Sequence, residues 1–258
     1  MSTTTPIGIC IYCGKTGIKL TDEHIVPKGF GNDAGDILHE ASCSDCSKIT
    51  GGFEMIMLRE NLQPIRTVLQ MKSRHHKPHE TISQEVEYAD GRAATIDVPF
   101  GKYRGMFVFP IFYPPSILEN DLSQTNQIVD GFQTLNIGNG SNDNWYRDQG
   151  IIEYHAPAFK SNRGQAFARF FLKIAYCAAV KYYGYEKVKL SPVRKLILGS
   201  DEHIAVWFGN IRKDYFQTPA EKNALVRYAV DKIDGGRLLV SVQLFPAYDE
   251  MPTYHVII

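Results

Sequence analysis

"TDEHIVPKGFG", residues 21 to 31, stands between two cysteine pairs, "CIYC" at 10 to 13 and "CSDC" at 43 to 46. Two Cys-x-x-Cys pairs can place four thiolates at the corners of a tetrahedron, the geometry zinc adopts in closed structural sites. In a reducing compartment such pairs indicate metal rather than disulfide. Cys10, Cys13, Cys43 and Cys46 therefore read as ligands of one structural zinc. A redox-active Cys-x-x-Cys is the rival reading, and two pairs would be redundant for it. The segment between the pairs is longer than a plain zinc ribbon needs, and it holds His24.

The chain has 258 residues, enough to bury a core as one large domain or two modest ones. Its 28 basic and 28 acidic residues balance, so bulk charge announces no nucleic-acid partner. No apolar run approaches the roughly 20 residues a membrane-spanning helix requires. The opening "MSTTTPIGIC" lacks the basic start and long apolar centre of a signal peptide. The expectation is a cytoplasmic protein without a membrane partner. One local bias stands out between Arg59 and His79. There Arg59, Arg66, Lys72, Arg74 and Lys77 face the single acid Glu60, with His75, His76 and His79 among them. Such a stretch is either a solvated basic loop or a grip on phosphates.

Local signals divide the chain into an N-terminal unit, residues 1–75, and a longer remainder, 76–258. In the first, "IGICIYCGK" reads as a short strand entering a turn at Gly14, and "IKLTDEHIVP" as a strand stopped by Pro27. A second strand over 37–42 leads into the second cysteine pair. A helix from Ser47 follows, with Ile49, Phe53, Ile56, Met57 and Leu62 at helical intervals and a break at Pro64. The remainder offers a hairpin at Asp90-Gly91, a strand ending at "YPP" (113–115), and a polar loop "IGNGSNDNW" (137–145). After these comes a helix whose apolar face carries Phe167, Phe170, Phe171, Ile174, Ala175, Ala178 and Ala179, with Cys177 a buried small hydrophobe. The C-terminal hundred residues then read as β-rich, with a hairpin at Asp234-Gly235-Gly236. The fold class expected is α+β with antiparallel strands.

The motifs "CIYC", "DEHIVPKGFG" and "ASCSDCSKITGGFE" resemble, in order and spacing, the HNH endonucleases, ββα-metal nucleases, of the variety with two zinc-binding cysteine pairs. The resemblance covers residues 10 to 60. It implies a zinc-supported ββα-metal module that hydrolyses phosphodiester bonds in DNA. By position it makes His24 the general base and Glu23 an acid that helps hold one magnesium or manganese ion. An imidazole titrates near neutrality and can take a proton from water, and hard oxygen ligands suit the cation. In a regular strand Asp22 and His24 share a face while Glu23 points away, so Asp22 is an alternative ligand.

The family commonly has His or Asn directly after the last cysteine, where this chain has Ser47. Glu54, two helical turns on, either replaces that ligand or is an exposed helix acid. Asn32 and His39 are equal candidates for the middle asparagine. Arg59, Arg66, Lys72 and Arg74 are the candidate DNA contacts. The C-terminal unit carries no motif that points to a family, and could recognise a sequence, sense a ligand, bind a partner protein or form a homodimer. The alternative function is a zinc-knuckle module that binds nucleic acid without cutting it. A second "DEHI" at 201–204 lacks the proline, the glycine loop and the cysteines, and reads as one strand of the C-terminal sheet.

Overall fold

The structure is a computed structural model that describes residues 5–30, 36–71, 79–124, 129–137, 143–155, 164–199, 203–211, 216, 224–248 and 251–258. It is a mixed α+β fold whose sheets are antiparallel. No helix among the described residues is long and apolar enough to cross a membrane.

The N-terminal unit runs strand, strand, helix. Strand β1 (Leu20–His24) pairs with β2 (Ile37–Cys43), and α1 (Ser44–Ile56) starts on the very next residue. The segment before β1, expected to begin as a strand, is irregular. It still hydrogen-bonds along β2, Ile7 N–H to His39 O at 2.9 Å and Ile11 N–H to Ala41 O at 2.8 Å. A wider helical turn over Met57–Asn61 continues α1, and α2 (Gln63–Val68) follows with Pro64 in its first turn. A proline is tolerated there because that N–H has no helical partner in any case.

Strands β3 (Thr81–Tyr88) and β4 (Ala93–Pro99) form the expected hairpin across Asp90-Gly91, with Gly91 at φ +80°. Strand β5 (Gly105–Phe112), which ends before "YPP", pairs with β6 (Val129–Ile137). Helix α3 (Asp143–Asp148) leads to β7 (Ile151–Tyr154), which joins β3. Residues 138–142 of the expected polar loop lie outside the described residues.

Helix α4 (Gly164–Tyr183) is the hub. Every residue from Ala166 to Val180 except Arg169 is buried, so the helix is enclosed on all sides rather than on one apolar face. On one side Phe167 and Phe171 pack on Phe208 and Tyr254 of the C-terminal sheet, with the Phe171 and Tyr254 ring centres 4.2 Å apart. Behind it come short helices α5 (Tyr185–Val188), α6 (Val193–Leu198) and α7 (Ile204–Trp207).

The C-terminal sheet has the order β8 (Phe208–Gly209), β11 (Thr253–Ile257), β10 (Leu238–Leu244), β9 (Val226–Lys232). Gly235 and Gly236, both at positive φ, turn β9 into β10 as expected. Along β10 the side chains alternate: Val240, Val242 and Leu244 join the cluster around α4, while Leu239 packs with Ile117 and Val206 on the other face. Two expectations fail here. "KLIL" (195–198) is helical, in α6, and the second His-Ile of "DEHI" opens α7 instead of a strand. Both helices hold only four apolar residues, too few for periodicity to separate helix from strand.

Buried residues of the N-terminal unit, α4 and the C-terminal sheet belong to a single cluster. Ile82, Val86, Val98, Tyr103, Tyr146 and Ile151 form a smaller, separate one beneath the β3–β4–β7 sheet.

Candidate functional site

The first cysteine pair lies on a tight turn. Gly14 N–H donates to Cys10 O at 2.8 Å and Cys10 N–H to Lys15 O at 3.0 Å, with Gly14 at φ +77°, a conformation that favours glycine. The second pair straddles the junction of strand and helix, Cys43 closing β2 and Cys46 in the first turn of α1. Cys43 N–H donates to Cys10 Sγ at 3.4 Å. All four Sγ atoms lie within 4.8 Å of one another, and those of Cys13 and Cys43 are 3.7 Å apart. Zinc–sulfur bonds of about 2.3 Å in a tetrahedron put the sulfurs roughly 3.8 Å apart, so this set could hold an ion such as zinc. It is the single such cluster among the described residues.

Helix α4 braces this turn from behind. Tyr176 Oη donates to Ile11 O at 3.1 Å, Tyr12 Oη and Cys177 Sγ lie 3.3 Å apart, and from α6 Arg194 Nε donates to Tyr12 O at 3.0 Å. Ile11 and Tyr12, between the first two cysteines, are consequently buried.

One turn earlier on α4 stands Lys173, 1 % exposed. Its Nζ lies 2.9 Å from Glu23 Oε1 and 2.8 Å from Glu54 Oε1, and it also donates to the carbonyls of His24 and Ile25. The contact with Glu54 is an ion pair with poor hydrogen-bond alignment. β1 and α1 thus deliver one acid each to a point where α4 delivers an ammonium. Burial works against the charge on Lys173, but Glu23 and Glu54 outweigh it and hold the group protonated well above the ordinary lysine value. Burial raises the Glu54 pKa, and Lys173 opposes the rise.

Strand β1 runs unbroken through His24, so successive side chains turn to opposite sides. Glu23 is buried toward α4, whereas Asp22 is exposed and His24 half-buried. Asp22 accepts from Glu40 N–H at 3.2 Å, and its Oδ2 lies 3.2 Å from His39 Nδ1. A register shift opposite Asp22 and a positive φ at Glu40 bulge β2 toward it. The His24 pKa is lowered, first by burial and then by Lys28 and Lys173. Its Nδ1 is buried and has no hydrogen-bond partner among the described residues. The neighbouring Lys28 is exposed on the turn Lys28–Phe30. A Cβ on Gly29 of that turn would meet Leu58 Cδ1 at 2.5 Å, so the Leu58 side chain would have to shift to admit one.

The sequence-derived site is thus brought together in part. The four cysteines meet. Glu23 and Glu54 meet, across Lys173. Asp22 and His39 pair on the solvent side. Ser47 lies in a hydroxyl cluster, 2.9 Å from Ser42 Oγ and 3.4 Å from Thr21 Oγ1. Arg66 is a fold residue: Nε donates to Gly29 O at 3.0 Å and Nη1 to Leu58 O at 2.8 Å. Arg59 is exposed, while Asn32, Lys72, Arg74, His75, His76 and Lys77 lie outside the described residues. The residue that sequence reasoning missed is Lys173. Its signal was a charge inside "FFLKIAYCAAV" (170–180), since a lysine in so apolar a helix must find anionic partners.

No family model, curated protein or solved structure matches the chain.

Proposed function

We propose that this chain is an HNH-type endonuclease that hydrolyses phosphodiester bonds in DNA, with His24 as general base and Cys10, Cys13, Cys43 and Cys46 holding a structural zinc. The supporting observation is the placement of His24. It ends the first strand of a strand–strand–helix unit whose base is the cysteine cluster. Zinc would fasten the β-strand pair to α1 and so fix the histidine relative to the helix. The imidazole takes a proton from water, and the water oxygen attacks phosphorus while the leaving oxygen departs with its bonding pair. A lowered pKa keeps His24 neutral, and hence able to accept that proton, at neutral pH. Exposed Lys28 beside it offers positive charge to a phosphate.

The resemblance also assigns Glu23, Glu54 or Asp22 to a magnesium or manganese ion. Glu23 and Glu54 do not fit that role as they stand, because Lys173 lies between them. Asp22 is the acid left open to solvent. The decisive test is plasmid cleavage by zinc-loaded protein with and without added magnesium or manganese. Nicked or linear product supports the proposal, and intact plasmid under every metal condition sinks it.

A second reading, nucleic-acid binding without cleavage, draws on the same lysine. Two acids engaged by one ammonium in this way and a serine after Cys46 leave fewer free ligands for a catalytic ion. Stable binding of DNA by protein that cuts nothing would favour it.

A further inference from the structure

Glu23 and Glu54 come from different elements and converge on one point, the arrangement two carboxylates adopt around a cation. The cation at that point is Nζ of Lys173, at 2.9 and 2.8 Å from the two Oε1 atoms. A magnesium ion bridging those oxygens at about 2.1 Å from each would sit within roughly 4 Å of Nζ. With Lys173 1 % exposed, little water is present to screen a divalent ion from an ammonium at that distance. Lys173 cannot simply swing aside, because it rises from the middle of a 20-residue helix that is packed all round. It is further held by the carbonyls of His24 and Ile25.

We propose that Lys173 is the resident cation of this acid pair. Its ammonium takes the place of a divalent ion, so Glu23 and Glu54 bind α4 to the strand–strand–helix unit instead of magnesium or manganese. The ammonium also holds the main chain at His24 and Ile25 through their carbonyls. The charge count agrees with a built-in counter-ion: one ammonium leaves the two carboxylates a single excess negative charge near Glu54, whose side chain retains 19 % exposure. This inference stands apart from the cleavage reading, since it concerns what the acids bind and holds whether or not the chain cuts DNA.

The test is manganese binding, followed by electron paramagnetic resonance on zinc-loaded protein. Wild type and Glu54→Gln, which keeps the Glu23–Lys173 pair, should bind the same number of manganese ions with the same affinity. Lys173→Met should gain one ion per chain, and Lys173→Met with Glu54→Gln should lose it again. A wild type that loses one bound ion on Glu54→Gln would overturn the proposal, even if Lys173→Met fails to fold. A folded Lys173→Met that gains no ion would overturn it as well. Plasmid cleavage is a separate readout, so failure of the nuclease reading leaves this comparison intact.

Discussion

Lys173 Nζ and Glu54 Oε1 lie 2.8 Å apart at the junction of α4 and α1, and Glu23 completes the bridge from β1. Two neighbouring elements of the N-terminal unit are thereby joined, through one ammonium, to a helix more than a hundred residues further along the chain. Removing one partner of a buried ion pair typically costs about 3–5 kcal/mol, because the charge left behind has neither water nor a counter-ion. Lys173→Met should fall in that range in urea unfolding, since two acids are stranded. Glu54→Gln should cost far less, because Glu23 and Lys173 remain matched. Equal losses from the two substitutions would contradict this division of roles.

The cysteine cluster makes a different demand. Metal-binding energy at such a site is part of the folding energy. Replacing Cys43 with serine should remove one zinc per chain by elemental analysis. Amide exchange should then accelerate over β1, β2 and the first turns of α1, with the β3–β4 hairpin less affected because it rests on a separate cluster. Fresh, unchelated wild-type protein without zinc would defeat the assignment.

Among the basic residues, structure separates Arg59 from Arg66. Arg66 donates to two backbone carbonyls, and hydrogen bonds from charged groups contribute roughly 1.5–3 kcal/mol each. Arg66→Ala should therefore lower stability by a few kcal/mol. Arg59→Ala should leave stability near wild type and, if the exposed guanidinium meets a phosphate, reduce the salt slope of DNA binding by about 1. An unchanged slope would make Arg59 a solvated surface residue.

A pH effect follows from His255, which is buried in β11 and receives Ile211 N–H on Nδ1 at 3.1 Å. Burial lowers its pKa to about 4, against an ordinary value of about 6.5. Between those values the unfolded chain binds the proton and the folded chain does not, so stability falls as pH drops through that window and is fully present above it. The effect is on the order of 3 kcal/mol by pH 4. His255→Gln should flatten the decline in melting temperature between pH 7 and pH 5. A wild-type melting temperature that does not change over that interval would remove His255 from the account.

The cysteine cluster was legible because four thiolates at that spacing have few other uses. The strand, the strand and the helix after them were legible from Pro27, from the alternation before it and from helical periodicity after Cys46. The destination of Glu23 was not. A strand turns alternate side chains to opposite faces, which tells that Glu23 and His24 part company but not what waits on the inner side. Lys173 lies 150 positions along the chain, and only tertiary packing brings it there. Arg66 misled for a related reason: a basic side chain in a basic stretch looks like surface until its partners, Gly29 and Leu58, are seen to be backbone. The short helices α6 and α7 were not legible because four apolar residues in each show no period.

Supercoiled-plasmid cleavage by His24→Ala, set beside wild type at matched zinc content, tests the central claim most directly. General base catalysis contributes on the order of a hundredfold or more. The variant should lose that much activity while DNA affinity and zinc remain near wild type, since His24 is neither a cysteine-cluster residue nor one of the candidate phosphate contacts. The wild-type rate should also hold its plateau down to below pH 6.5 and fall only on the acid side of it, because the histidine that must be neutral has a lowered pKa. A His24→Ala protein that cuts as fast as wild type would contradict the account and leave the binding reading in its place.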